Sequence, residues 1–200
     1  VLTCDIAILR LLEAHGIKPD VVVGHSLGEY AACVAAGVVE LADALRIVAA
    51  RGREMSSATP EGGDPGWMVA VASPLSVVEP ILERIDGYVV AANKNSPNQT
   101  IVAGATSAVR EAIGRFEVQN IDCRRIPVSH AFHTRVVASA SVPLGEVLRS
   151  SGLKAPKIPI LSNVTGGLYP DGPDAVERII ELLARQVASP VEFIANVETM

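Results

Sequence analysis

Apolar residues recur every three or four positions over several segments of the chain, which is the spacing of an amphipathic helix. The pattern predicts helices over residues 2–15, 29–36, 41–55, 136–151 and 174–187. In the fourth segment, a proline at position 143 predicts a kink or a late start. The buried face of the third helix is predicted to contain Leu41, Leu45, Val48 and Met55.

Two short apolar runs have the character of buried strands instead. Val21-Val22-Val23 is β-branched and apolar throughout and lies directly before a glycine, and residues 158–162 are predicted as a second strand. A wholly apolar run of this kind is typical of a strand covered on both faces of a parallel sheet. These two strands and the five helices predict an α/β main domain.

The middle of the chain has a different pattern of predicted strands and helices, which begins after a Pro- and Gly-rich cluster at residues 60–66. Thr106 is the predicted N-cap of the second helix in this part. The order is β-α-β-β-α-β, the split βαβ arrangement, so we predict an inserted subdomain over 61–128 between 1–60 and 129–200. Its predicted elements are strand 67–72, helix 77–85, strands 88–92 and 100–103 joined by a turn at 94–98, helix 106–116 and strand 121–128.

Composition narrows the class of protein. Of the 200 residues, 49% are hydrophobic and 20% charged, as in a globular protein, and the net charge of -5 argues against a nucleic-acid-binding surface. The three cysteines form no C-x-x-C pair, which argues against disulfides and a bound metal and favours a reducing compartment. No apolar run is long enough to cross a bilayer, and no signal peptide is present. We therefore expect a cytoplasmic protein.

The first residues already continue a helical pattern, and the first residue is Val1 rather than Met. We therefore expect the chain to be part of a longer polypeptide, with the N-terminal part of its domain missing.

The segment Gly24-His25-Ser26-Leu27-Gly28 matches G-x-S-x-G between a predicted strand and a predicted helix. A serine at such a turn is exposed in a strained backbone conformation, and we expect side chains two positions before and after it to collide, so that both positions require glycine. The amide of Leu27 and the start of the next helix would then face the reacting oxygen. Ser26 is the predicted nucleophile.

A serine needs an adjacent base, and the chain has four histidines. His15 lies at a helix end, and His25 lies inside the elbow, where it would shape the pocket wall. His130 and His133 follow the inserted subdomain, in a loop between domains. The pattern favours one of these two as the base without choosing between them.

Arg51 lies beside the apolar face of the predicted 41–55 helix, where an arginine needs an anionic partner. Its guanidinium matches a carboxylate bidentately. From these residues alone, an intrachain ion pair with Asp43, Glu54 or another acid, or a solvated position, is the favoured explanation.

Four segments together resemble the malonyl-CoA:acyl-carrier-protein transacylases and the acyltransferase domains of type I polyketide and fatty-acid synthases. GHSLGEYAA at 24–32 is similar to the family's active-site segment, AARGREM at 49–55 to its arginine segment, and HAFH at 130–133 to its histidine motif. ILSNVTG at 160–166 with PVEF at 190–193 is similar to its C-terminal part. The resemblance spans almost the whole chain.

The resemblance implies an α/β-hydrolase-like domain with a ferredoxin-like insert. It implies that Ser26 is the acylated nucleophile, that His133 is the base, and that Arg51 holds the malonyl carboxylate. A backbone carbonyl near Glu192 would orient His133, and His25, His130 and Phe132 would border the substrate.

The implied reaction moves a malonyl group from malonyl-CoA to the phosphopantetheine thiol of an acyl carrier protein, beside neighbouring synthase domains, with no bound cofactor. HAFH and Leu27 resemble the malonyl-selective pattern, because the Phe132 ring would crowd a 2-methyl branch. The alternatives are transfer from another acyl-CoA such as methylmalonyl-CoA, thioester hydrolysis for proofreading, and a non-catalytic docking domain. The family usually has a second oxyanion donor, a glutamine in a segment that we expect upstream of Val1, so we expect the chain alone to be weakly active or inactive.

Overall fold

A computed structural model of the chain describes residues 1–59 and 62–200. The elements alternate between helices and a block of strands in the middle of the chain. In chain order they are α1 (Leu2–Ala14), α2 (Gly28–Ala35), α3 (Leu41–Ser56), β1 (Trp67–Val71), α4 (Leu75–Leu82), β2 (Val89–Ser96), β3 (Gln99–Gly104), α5 (Thr106–Val118), β4 (Cys123–Ile126), a 3-10 turn (Arg135–Ala140), α6 (Ser141–Arg149), α7 (Ala175–Gln186) and α8 (Phe193–Thr199).

Helices α1, α2, α3, α6 and α7 surround the larger hydrophobic core. Each helix contributes one apolar face, as the 3.6-residue period requires. The buried face of α3 differs from the prediction, because it consists of Ala44, Ile47, Ala50, Arg51 and Met55, whereas Leu45 is exposed. The core places the N-terminus of α2 and the middle of α3 next to each other.

The two predicted strands of the main domain are shorter than expected. Val22 and Ile160 form a single parallel bridge, in which the Val22 amide donates to the Pro159 carbonyl and the Leu161 amide to the Val22 carbonyl. The prediction of full burial is wrong, because residues 21–23 are half-buried. On the other side, Val22 and Val23 border an open groove of about 530 Å³ against α1, so within residues 1–59 and 62–200 this short strand is paired on one side.

The middle strands form a four-stranded sheet in the order β2-β3-β1-β4, with antiparallel neighbours throughout. Trp67 pairs with Gly104 and Val71 with Thr100. One face of the sheet packs against α4 and α5, and the other packs against Ala131 and Phe132. The second contact fixes the segment that carries His133.

Several local predictions in this region need correction. Strand β2 runs on to Ser96, so the turn at 94–98 is confined to its last residues. Thr106 is the first residue of α5 and not its N-cap. Its amide and hydroxyl both donate to the carboxylate of Asp64, at 2.8 and 2.6 Å, so a residue 42 positions earlier caps the helix. The predicted domain boundary at 60/61 falls on residues outside the described part of the chain.

The C-terminal part ties the sheet to the helices. Val191 forms a parallel bridge with Asn93 at the edge of β2, and the Lys94 amide donates to the Val191 carbonyl at 2.9 Å. Helix α6 begins at Ser141, which places Pro143 in its first turn, as the predicted late start requires. Within residues 1–59 and 62–200, none of the helices has the length and apolar character needed to cross a membrane.

Candidate active site

Ser26 lies at a sharp turn before α2. Its φ of +53° is in the left-handed region, which residues other than glycine rarely adopt. A Cβ atom on Gly24 would lie 2.0 Å from the Gly28 carbonyl oxygen, so that position requires glycine. A Cβ on Gly28 would contact nothing within 4 Å, so the predicted requirement for glycine is wrong there. The Gly28 backbone carbonyl is the group that a side chain at position 24 would meet, so only position 24 requires glycine.

The imidazole of His133 lies beside the Ser26 hydroxyl, with Nε2 2.7 Å from Oγ. The Nδ1 atom lies 2.9 Å from the Gln186 carbonyl oxygen and 3.2 Å from that of Ser189. Because carbonyl oxygens only accept, Nδ1 carries the proton, and Nε2 accepts from the serine. The structure therefore pairs Ser26 with His133, as the resemblance implied, in the tautomer that a general base needs.

The environment keeps His133 neutral. The residue is 3% exposed, and burial lowers its pKa to about 4, with Arg51 as a further cause. A neutral imidazole can take the serine proton, whereas an imidazolium cannot. At neutral pH, His133 is therefore in the neutral form that can accept a proton.

Glu192 does not orient this histidine. The two carbonyls that accept from His133 belong to Gln186 and Ser189, and the Glu192 carbonyl accepts instead from the Asn196 amide. Its carboxylate accepts from Lys94 Nζ at 2.7 Å. The accepting groups are backbone carbonyls, as expected, but they lie six and three residues before Glu192, at the last residue of α7 and at Ser189.

Arg51 enters the site from α3 and is 7% exposed. Its Nη2 lies 3.4 Å from both Ser26 Oγ and Gln186 Oε1, which are long distances for hydrogen bonds. Its Nε is buried without a hydrogen-bond partner in the described part of the chain. Asp43 pairs with Arg46 instead, and no acidic side chain of residues 1–59 and 62–200 forms a salt bridge with Arg51. The intrachain ion pair considered from the sequence is therefore absent from this region.

The family model described as the acyl transferase domain matches residues 1–199. The chain belongs to the acyltransferase-domain family.

Individual relatives agree. The malonyl CoA-acyl carrier protein transacylase of Bacillus subtilis (strain 168) is 36% identical over 198 residues, which are 96% of this chain and 60% of the relative. The spectinabilin polyketide synthase system protein NorB of Streptomyces orinoci is 36% identical over 191 residues, 94% of this chain and 8% of that protein. The crystal structure of the malonyl CoA-acyl carrier protein transacylase from Clostridium perfringens has a TM-score of 0.91 at 34% identity. That match covers 100% of this chain and 62% of the other. The chain thus spans less than two thirds of each of these relatives.

In this acyltransferase domain, a pocket of about 330 Å³ opens over the serine. It lies between α3, the sheet and the histidine segment, and both Ser26 Oγ and the guanidinium of Arg51 reach it. Its lining is His25, Ser26, Arg51, Gly52, Met55, Ser56, Met68, Asn93, Ile126, Val128, Phe132 and His133.

The other predicted site residues take different positions around the pocket. His25 is exposed, and its Nε2 donates to Asn95 Oδ1 at 2.8 Å across the mouth. Phe132 is half-buried in the pocket wall. His130 is buried with its ring 6.1 Å from that of Phe132 and does not line the pocket. The Leu27 amide lies at the start of α2 and makes no backbone hydrogen bond in the described ranges.

Three buried polar residues below the elbow were missed by the sequence reasoning. Asn163 Oδ1 accepts from the Ser26 amide at 2.6 Å, and its Nδ2 donates to the Gly24 carbonyl at 2.7 Å. Gln186 Nε2 donates to the Ser26 carbonyl at 2.8 Å and to Glu29 Oε2 at 2.7 Å. Two of them carried a signal, since Glu29 interrupts an Ala-rich helix and Gln186 shares a face with apolar residues of α7.

Proposed function

We propose that this domain transfers a malonyl group from coenzyme A to the phosphopantetheine thiol of an acyl carrier protein through an ester on Ser26. The observation that carries the proposal is Arg51, a buried cation beside the nucleophile with no acidic partner in the described residues. A buried guanidinium without an anion is costly, and a carboxylate on the substrate would satisfy it bidentately.

In the first half-reaction, Ser26 Oγ attacks the thioester carbonyl while His133 Nε2 takes the hydroxyl proton. The resulting oxyanion would be held by the Leu27 amide at the start of α2. The C–S bond then breaks, and the proton passes from His133 to the sulfur of the departing coenzyme A. A malonyl ester remains on Ser26, with its free carboxylate at Arg51.

In the second half-reaction, His133 takes the proton of the carrier's thiol, and the sulfur attacks the ester carbonyl. The C–O bond to Ser26 breaks, and the proton returns to Oγ. The carbonyls of Gln186 and Ser189 accept from Nδ1 throughout, which stabilises the imidazolium that forms transiently. No bound metal or cofactor takes part in these steps.

The element order β-α-β-β-α-β and the strand order β2-β3-β1-β4 support a ferredoxin-like subdomain at about 61–128. We infer that it sits on an α/β-hydrolase-like part at 1–60 and 129–200. The pocket between them would hold the acyl group.

Thioester hydrolysis is the competing reaction, since it uses the same serine and histidine. A hydrolase for uncharged acyl chains has no use for a cation at Arg51, which favours malonyl transfer. The names of the relatives, malonyl CoA-acyl carrier protein transacylases, support the same choice. A non-catalytic docking role would leave the aligned serine and histidine without purpose.

The test uses the protein loaded with a labelled malonyl group from malonyl-CoA. We expect the label to move to the thiol of a phosphopantetheine-bearing carrier protein much faster than it is released to water, and Ser26→Ala to take up none. Equal loss to water with and without the carrier would favour hydrolysis and contradict the proposal.

A further inference from the structure

The carboxylate of Glu29 lies below the elbow, in the first turn of α2, and the residue is 1% exposed. Three groups donate to it. The Tyr169 hydroxyl donates to Oε1 at 2.6 Å, Gln186 Nε2 donates to Oε2 at 2.7 Å, and the backbone amide of Asn163 donates to Oε1 at 3.3 Å. The surrounding groups are therefore arranged for an acceptor, which is the ionised form.

No cation in the described part of the chain forms a salt bridge with this carboxylate, and Arg51 acts on it only from a longer distance. No Lys, Arg or His nitrogen of the described residues lies within 4.0 Å of its oxygens. Burial of a carboxylate among neutral donors costs free energy of folding. Folding stability therefore does not explain why a carboxylate stands at position 29, and the roles of its partners must be considered.

Gln186 is the partner that reaches the active site. Its Nε2 has two protons, which go to Glu29 Oε2 and to the Ser26 carbonyl. With both protons used in this direction, Oε1 is left facing Arg51 Nη2 at 3.4 Å. The backbone carbonyl of the same residue accepts from His133 Nδ1. Gln186 thus contacts the nucleophile, the base and the cation.

We propose that ionised Glu29 is a positioning residue, which fixes the amide of Gln186 so that its nitrogen holds the Ser26 backbone and its oxygen faces Arg51. Glu29 touches no substrate and acts only through Gln186. The inference rests on the proposed function for its catalytic consequence, but the Ser26–His133 pair can be probed without it.

The isosteric substitution Glu29→Gln places a hydrogen-bond donor where one carboxylate oxygen now accepts. If the new amide oxygen takes the place beside Tyr169 and Asn163, its NH₂ group faces the NH₂ group of Gln186, and two donors oppose each other. Relief requires Gln186 to turn, which removes its bond to the Ser26 carbonyl and directs a donor at Arg51. Misplacement of reacting groups by about 1 Å can cost about a hundredfold in rate.

The protonation state of Glu29 supports a test by pH. Burial raises its pKa to about 7, against the hydrogen bonds of Tyr169 and Gln186 and the charge of Arg51, which lower it. Tyr169 is a titratable group in contact with this carboxylate, Cys33 lies 3.9 Å from the Tyr169 hydroxyl, and Tyr30 faces Arg51. Burial raises the pKa of all three far above 7, so they stay neutral in this range. Because the ionised form positions Gln186, the rate falls to a lower plateau as pH decreases through about 7.

The experiment measures labelling of Ser26 by a fluorophosphonate, which forms an Oγ–P bond and releases fluoride, over pH 5 to 9. We expect Glu29→Gln to label about tenfold to a hundredfold more slowly than wild type at pH 8–9 and to lose the inflection near pH 7. The exposed Glu40→Gln serves as a matched control and retains the wild-type profile. A folded Glu29→Gln variant with wild-type rates, or with the inflection intact, overturns the proposal.

A second variant keeps the test decisive if Glu29→Gln does not fold. Tyr169→Phe removes a hydrogen bond that lowers the pKa of Glu29, so the inflection should move to higher pH. A purely structural role for the tyrosine would not move it. An inflection that stays in place in this variant, or a wild-type profile without one, contradicts the proposal.

The labelling rates do not depend on the acyl donor. If wild type reacts with the fluorophosphonate but not with malonyl-CoA, the proposed function fails while the comparison of variants still decides the role of Glu29.

Discussion

The Nε2 atom of His133 lies 2.7 Å from the Oγ atom of Ser26, although 107 positions separate the two residues. Both have a positive φ, at +59° and +53°. The serine is held at the start of α2, and the histidine ends a segment packed against the sheet. Two segments that are distant in the sequence therefore meet at the reacting atoms.

The pH dependence of this pair is the first prediction. Because the proposed base, His133, is neutral and burial lowers its pKa to about 4, labelling of Ser26 should be lost only as pH falls through about 4. An unperturbed imidazole would lose activity near 6.5. The measurement is fluorophosphonate labelling of the Glu29→Gln variant, which removes the ionisation of Glu29 near pH 7. Complete loss of labelling near pH 6.5 would contradict the prediction.

Substitution of Arg51 should change the choice of donor. Arg51→Ala removes the charged partner of the malonyl carboxylate, and charge-assisted hydrogen bonds contribute about 1.5 to 3 kcal/mol each. We expect kcat/KM for malonyl-CoA to fall about a hundredfold, with a much smaller change for acetyl-CoA. Arg53→Ala, on the exposed side of the same helix, is the control. An equal loss for both donors would assign Arg51 a structural role.

Phe132 should limit the size of the acyl group. Its ring lies in the wall of a pocket of about 330 Å³, and a smaller side chain would leave room for a 2-methyl branch. We expect Phe132→Ser to gain turnover with methylmalonyl-CoA, measured by competition against malonyl-CoA. A variant with undiminished malonyl preference would count against this role.

The two glycines of the elbow should respond differently to alanine. At position 24 a Cβ would lie 2.0 Å from a backbone oxygen, so Gly24→Ala should destabilise the fold by at least about 2 kcal/mol and slow labelling of Ser26. At position 28 a Cβ meets open space, so Gly28→Ala should change stability by less than about 1 kcal/mol. Urea unfolding of both variants checks this. Similar losses would mean that the elbow is not as close-packed as described.

Much of the helical structure could be predicted because each helix carries its own signal. The predicted 41–55 and 174–187 segments correspond to Leu41–Ser56 and Ala175–Gln186. The length and burial of the strand at 21–23 could not be predicted, since its pairing depends on a neighbour more than a hundred positions away, Ile160. The cap of α5 could not be predicted for the same reason, because the capping residue Asp64 lies far from Thr106 in the chain.

The site was predictable where side chains do the chemistry. Ser26, His133 and Arg51 belong to sequence motifs, and the structure brings them together. The group that orients the base was assigned to Glu192 and belongs to Gln186 and Ser189, because every residue has a backbone carbonyl and its direction depends on how α7 ends. Helix α8 was also missed, since its few apolar residues give a weak period.

The central claim is tested most directly by the intact mass of the protein after brief exposure to malonyl-CoA. We predict a mass increase of one malonyl group, located on Ser26 by peptide mapping, that is absent from Ser26→Ala and strongly slowed in His133→Ala. A malonyl group on another residue, or uptake that persists in Ser26→Ala, would contradict the account.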